Sequence, residues 1–176
     1  MKNIVVIGGS NSKKSINKTL AVYAAEKLKD VMLTVVDLNE FDLPLYGIDL
    51  ETEKGIHEEA KRLNGIMDWA DGFVVSLAEH NGAYSVAFKN AFDWLSRVNN
   101  KVWRNKPMLL LATSPGARGG QTVLGIANSS FPHMGANIID TMTFPSFYEN
   151  FKENDIVNEE LKQLLIDKIS KFQKEL

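Results

Sequence analysis

The sequence predicts an α/β fold, a parallel five-stranded sheet with helices on both faces, and two observations carry that expectation. Five short apolar runs, Asn3 to Ile7, Met32 to Val36, Gly72 to Ser76, Met108 to Ala112 and Ala136 to Ile139 with a few residues beyond, have the composition of strands buried on both faces. Each is separated from the next by a segment long enough for a helix, and that alternation is the signature of βαβ units. The 176 residues, 44% of them apolar, suffice for one sizeable core. No linker, internal repeat or low-complexity stretch marks a boundary, so residues 1–176 are expected to form one domain.

The helices follow in order. Asn17 to Lys29 and His57 to Ala70 carry weak helical patterns before the second and third strands. Tyr84, Phe88, Ala91, Phe92 and Leu95, spaced by four, three, one and three, form a continuous apolar stripe on a helix. Gln121 to Met134 is a weaker helical segment before the fifth strand. Near the C-terminus, Val157, Leu161, Leu164, Leu165, Ile169 and Phe172 repeat the helical rhythm, with Glu159, Glu160, Lys162 and Lys168 opposite, so a closing helix is expected to pack on the sheet. Five strands alternating with five helices suit either a flavodoxin-like order 2-1-3-4-5 or a truncated dinucleotide-binding half. In both, ligands bind beyond the carboxyl ends of the strands where the order reverses. The loops to inspect are therefore Gly8 to Ser15, Leu77 to Ala83 and Thr113 to Gly120, all rich in Gly, Ser and Asn.

Composition narrows the chemistry. Twenty Lys and Arg against 22 Asp and Glu give a net charge of -2, which supplies no basic footprint for nucleic acid. The absence of cysteine excludes disulfides, thiolate nucleophiles and Cys-ligated metals. His57, His80 and His133 lie in separate segments without ligand spacing, so no metal site is expected. No apolar run approaches the roughly 20 residues of a membrane span, and a cytoplasmic protein that engages neither membrane nor nucleic acid is expected.

The first loop, Gly8 to Asn17, leaves a strand and enters a helix, where unpaired amides and the helix dipole favour an anion. Ser10, Ser12 and Ser15 add small hydroxyls. A dinucleotide fingerprint fails because the second and third glycines are missing. A P-loop fails because Lys13 stands at its second glycine and the strand Phe73 to Leu77 ends without an acidic residue. A hydroxyl-rich site for a terminal monophosphate remains, beside the plainer reading of a serine cap that starts the helix.

Taken together the loops resemble the NADPH-dependent FMN reductase family. Gly9, Ser10, Ser15 and Asn17 match its G-S-x-R-x-x-S-x-N, with Ser12 in place of the arginine. Ala78 to Trp94 is similar to P-E-Y-N-G-S-x-P-x-x-L-K-N-A-x-D-W, with K-N-A-x-D-W kept at Lys89 to Trp94 and His80 where tyrosine is frequent. Ser114 to Gly120 is similar to S-x-G-x-x-G-G, and Asp37-Leu38 with Leu43 to Tyr46 to the D-L…L-P-L-Y stretch.

The resemblance implies a flavodoxin-like three-layer αβα sandwich of order 2-1-3-4-5 that binds FMN noncovalently. It implies hydride transfer from NADPH or NADH through the flavin to a flavin, quinone, azo or similar small-molecule acceptor, with no catalytic side chain required. Ser10, Ser12, Ser15, Ile16 and Asn17 are implied at the phosphate and ribityl end. Ala78, Glu79, His80, Asn81 and Gly82, with Ser114, Gly116, Gly119 and Gly120, are implied around the ring. Three glycines in five positions exceed the needs of one turn, which favours a ligand-contacting role. Asp93, Trp94 and Arg97 fall off the apolar stripe, and an exposed Trp beside Arg favours a homodimer or homotetramer interface. The rival reading is a flavodoxin-like electron carrier without nicotinamide turnover; such carriers are usually strongly acidic, and a charge of -2 argues against it.

Overall fold

The computed structural model describes residues Met1–Leu176. β1 (Lys2–Gly9) is buried beyond Lys2, and Ser15 ends the loop after it by accepting the Lys18 amide at 3.1 Å, which starts α1 (Ile16–Ala25). β2 (Val31–Val36) leads through a 3₁₀ turn at Leu38–Glu40 and an extended strap to a short α2 (Ile48–Lys54). His57 caps α3 (Glu58–Asp68), its Nδ1 accepting from the Glu59 amide at 3.3 Å. After β3 (Gly72–Leu77) a tight hairpin of β4 (Glu79–His80) and β5 (Ala83–Tyr84) leads into α4 (Val86–Val98), capped by Ser85. β6 (Lys106–Thr113), α5 (Gln121–Ser130), a 3₁₀ turn at Phe131–Met134 and β7 (Ala136–Phe144) complete the sheet. A short α6 (Phe147–Asn150), the hairpin β8 (Phe151–Lys152) with β9 (Asp155–Ile156) and α7 (Glu159–Lys174) close the chain.

All pairings in the main sheet are parallel and its order is β2-β1-β3-β6-β7, the expected 2-1-3-4-5 once the two short hairpins are set aside. The alternation of the pleat divides the core. Val5, Ile7, Phe73, Val75 and Leu110 pack against α3, α4 and α5, while Ile4, Val6, Val74, Leu109 and Leu111 pack against α1 and α7. Register fixes the site: Gly9 lies opposite Leu77, and Leu77 opposite Ala112, so three strand ends and their loops stand side by side. No helix is long and apolar enough to cross a membrane.

Three expectations are corrected. β2 and β7 are not buried on both faces: β2 buries only Val36, and β7 only Ala136, Met142 and Phe144, because an edge strand has a neighbour on one side alone and less helical cover. Tyr84 belongs to the hairpin, not to the helix whose stripe it continues, although its ring still packs on Phe88 at 5.4 Å. Trp94 is not exposed. The strap crosses α4 there, so Trp94 Nε1 donates to the Pro44 carbonyl at 2.8 Å and only 1% of the residue is accessible. Asn90 binds the same strap, donating to the Leu43 and Pro44 carbonyls and accepting from the Tyr46 amide, and Arg97 pairs with Glu51 of α2 at 2.9 Å. Of the three residues that read as an interface, Trp94 and Arg97 hold the strap and α2 from within the chain, while Asp93 pairs with Lys89 on the same helix at 2.7 Å.

Candidate functional site

The loop after β1 is built from serine hydroxyls turned onto their own backbone. Ser10 Oγ accepts the Ser12 amide (3.1 Å), Ser12 Oγ the Lys14 amide (3.3 Å), and Ser15 Oγ the Lys18 amide. Each hydroxyl keeps its proton as a donor. Ile16 and Asn17 occupy the first two helical positions, whose amides have no acceptor within the helix. Three hydroxyl donors, two amides and the Lys14 side chain thus meet around a cavity of about 180 Å³. Ser10, Ser12, Ser15, Ile16 and Asn17 line it from one side, Ala78, Glu79 and His80 from a second, and Thr113, Ser114 and Pro115 from a third.

The side chain of Asn17 has a different duty from its amide. It is 2% exposed, its Oδ1 accepts from Ser76 Oγ (2.7 Å) and the Thr113 amide (3.1 Å), and its Nδ2 donates to the Thr113 carbonyl (3.1 Å). It clasps α1 to β3 and β6, which leaves its backbone N–H as the group available to a ligand. Ser85 works similarly from the far wall: its buried hydroxyl donates to the Gly9 carbonyl at 2.7 Å and accepts the Phe88 amide at 3.2 Å, pinning the start of α4 to the end of β1.

Asn81 (φ 52°) and Gly82 (φ 74°) are both left-handed, the pair that a type I′ two-residue hairpin requires between β4 and β5. Their spacing is therefore a turn signal before it is a ligand signal, and neither lines the cavity. Glu79, which does line the cavity, also has a structural partner: Oε2 accepts the Val123 amide at 2.9 Å, capping α5, whose own cap residue Gly120 has no side chain to offer. His80 is exposed and forms a wall between this cavity and a second one of about 510 Å³, bounded also by Asn11, Phe41, Val86 and Asn90.

The loop after β6 divides its residues between two purposes. Ser114 and Pro115 line the cavity, and Gly116 has open space beside it. Gly119 (φ 58°) presses against the Phe144 carbonyl group, where a Cβ would sit at 2.9 Å, and Gly120 (φ 79°) against Ala112 Cβ at 2.9 Å. Packing on the ends of β7 and β6 gives both a structural reason, which Gly116 lacks. Sequence reasoning missed Tyr148, which lines the cavity from α6. It is placed by two backbone bonds, Ser146 N–H to the Gly116 carbonyl and Phe147 N–H to the Ser114 carbonyl. No periodicity marks it, and the aromatic cluster Phe147, Tyr148, Phe151 is the only signal.

A clustered set of donors at a helix start, small side chains around it and an open rim of strand-end loops fit a phosphomonoester with a flat group beyond it. The comparisons agree. Residues 2–149 match the family model described as NADPH-dependent FMN reductase. An NADPH azoreductase of Bacillus sp. (strain OY1-2) is 32% identical over 136 residues, 77% of this chain and 72% of that one. A quinone reductase of Escherichia coli (strain K12) is 33% identical over 118 residues, 66% of this chain and 62% of that protein's length. Among solved structures, FerB, a flavoenzyme NAD(P)H:(acceptor) oxidoreductase from Paracoccus denitrificans, superposes with a TM-score of 0.79 at 24% identity, covering 99% of this chain and 97% of the other. The match over most of the chain, on a fold and cradle of this kind, shows that the protein belongs to the NADPH-dependent FMN reductase family.

Proposed function

We propose that this protein is an FMN-dependent NAD(P)H oxidoreductase that passes electrons to quinones or azo compounds, the acceptors suggested by the names of its relatives, or to free flavin, the acceptor suggested by the family's description. The observation that carries the reading is the convergence of three strand-end loops on one cavity whose donors suit a phosphate. Bound there, FMN supplies the hydride and electron chemistry. The chain's part is to bind and orient. Ser10, Ser12 and Ser15 hydroxyls and the Ile16 and Asn17 amides hold the phosphate. Ala78, Glu79 and His80, with Ser114, frame the ring. Asn81 and Gly82 form the turn that holds that segment in place, Gly116 leaves open space beside the ring's edge, and Gly119 and Gly120 let the third loop fold into place. His80, on the wall shared with the second cavity, contacts the ring edge or the acceptor.

The same reading takes residues 1–176 as one FMN-binding domain of a cytoplasmic enzyme. It also takes the enzyme as a homodimer or homotetramer, and here the exposed apolar side chains support it: Leu45 (75% accessible) and Ile48 lie on the strap and α2, and Val86 at the start of the helix the strap covers. Light scattering of the protein and of Leu45→Lys tests that face; a change from oligomer to monomer is expected, and a monomeric parent protein would overturn it. The function is tested by the absorption spectrum of the purified protein after incubation with FMN, then by NADPH and NADH consumption with a quinone. Flavin bands and steady turnover are expected, and a protein that stays colourless overturns the proposal. Ser15→Glu places a carboxylate against the phosphate and is expected to weaken FMN binding by well over tenfold; unchanged affinity would remove the cradle from this loop.

A further inference from the structure

Beside the cradle runs a groove of about 650 Å³ between α1 and the α6–β8 segment, and it shares Lys14, Ser15, Ile16 and Tyr148 with the cradle. A ligand therefore passes from one to the other without leaving the surface. Lys13, Lys14 and Lys18 line the groove with a single carboxylate, Glu26. Lys18 is already committed to Asp37 at 2.7 Å, whereas Lys13 and Lys14 have no carboxylate within 4.0 Å. Two adjacent unpaired cations just before α1 stand at the positive end of a ten-residue helix, where a cation is disfavoured and an anion is favoured. An anion seated between them turns that cost into a gain. At the shared rim Tyr148 is 64% exposed, makes no side-chain hydrogen bond and stands edge-on to Phe147 at 5.6 Å. It is a flat aromatic surface fixed in place beside two free lysines, the pairing that a purine nucleotide phosphate uses.

We infer that this groove receives the adenosine end of the reduced donor, with Tyr148 under the adenine and Lys13 on the 2′-phosphate, so that Lys13 selects NADPH over NADH. The inference rests on the FMN-dependent reading above for the place of the nicotinamide. Lys14 lines both cavities and serves both anions, while Lys13 lines the groove alone, which makes Lys13 the selective residue.

The test titrates the FMN-loaded protein with adenosine 2′,5′-bisphosphate and with adenosine 5′-monophosphate, followed by amide chemical shifts. The bisphosphate is expected to bind about fivefold or more tightly than the monophosphate, without displacing FMN, as one charge-assisted contact at an accessible site allows. Lys13→Gln should bring the two affinities together, Lys13→Arg should restore the gap, and Tyr148→Ala should weaken both probes alike. The ratio of kcat/KM for NADPH to that for NADH should fall with Lys13→Gln while FMN affinity stays unchanged. Equal affinity of both probes for the parent protein, a ratio indifferent to Lys13, or displacement of FMN by the bisphosphate would each overturn the groove assignment. Failure of the underlying reading looks different: FMN itself would not be retained, whatever residue stands at position 13.

Discussion

The loops after β1 and β6 look alike in sequence, small, polar and glycine-containing at the end of a buried strand, yet they reach the same cavity by opposite means. The first turns its serines inward on its own backbone and leaves donors over: three hydroxyl protons and two helix-start amides. The second spends two of its three glycines on contact with the protein itself, Gly119 on the end of β7 and Gly120 on the end of β6, and gives the cavity only Ser114 and Pro115. Glycine reports close approach of something to the backbone, and in the second loop that something is the neighbouring strand. Unspent donors are the better mark of a ligand.

The largest expected effect separates the two loops most directly. Gly119→Ala and Gly120→Ala each force a left-handed backbone on a residue with a Cβ and drive that Cβ to 2.9 Å from its neighbour, so each should cost about 2 to 4 kcal/mol. In a chain of this size that lowers the melting temperature by roughly 5 to 15 °C. Gly116→Ala, with open space beside it, should stay within about 0.5 kcal/mol. If Gly119→Ala melts like the parent protein but loses FMN, the second loop is a ligand loop after all.

Next in size is Asn17→Ala, which tests whether the family-motif asparagine belongs to the ligand or to the fold. Its removal strands the Ser76 hydroxyl and the Thr113 amide in the buried clasp, at about 2 to 4 kcal/mol. Ser12→Ala, whose hydroxyl lies in the exposed turn, should leave the thermal melt within about 0.5 kcal/mol and weaken FMN binding in fluorescence titration. Equal stability of the two variants would return Asn17 to a purely ligand-facing role.

Much of this was legible in the residues, and what was not has physical causes. The apolar runs mark the strands because burial selects Val, Ile and Leu, but they do not say which strand is an edge; that depends on sheet order, and so Met32 and Val35 of β2 are exposed despite an apolar run. Helical periodicity finds the stripe on α4 but places Trp94 outside it, since the strap that covers Trp94 comes from 50 residues away. Asn81-Gly82 is a dipeptide that favours a two-residue hairpin turn, and in the fold both residues take the left-handed conformation that this turn requires. Glu79 and Tyr148 act through contacts set by the packing of α5 and α6, which no local pattern records.

The smallest expected effect concerns acid, and it again divides the loops. Asp37 sits at the end of β2 with its carboxylate 2.7 Å from Lys18 Nζ, one helical turn beyond the serine cap, and that hydrogen bond, helped by the Asn39 amide, holds its pKa down at about 2. A depressed carboxyl pKa stabilises the fold above the unfolded value near 3.8, and the contribution fades as pH falls from about 4 through 2. Over that window the amide resonances of Ser10 to Lys18 should shift more than those of Ser114 to Gly120, whose nearest such partner, Glu79, bonds the Val123 amide beyond the loop. Asp155 titrates in the same range beside Lys162, so the decisive sample is Asp37→Asn, in which the first-loop shifts should vanish and those around β9 persist. Shifts that survive in Asp37→Asn would mean that the first loop is held by its own hydroxyl turns alone, and that the bracing from β2 adds nothing to the cradle.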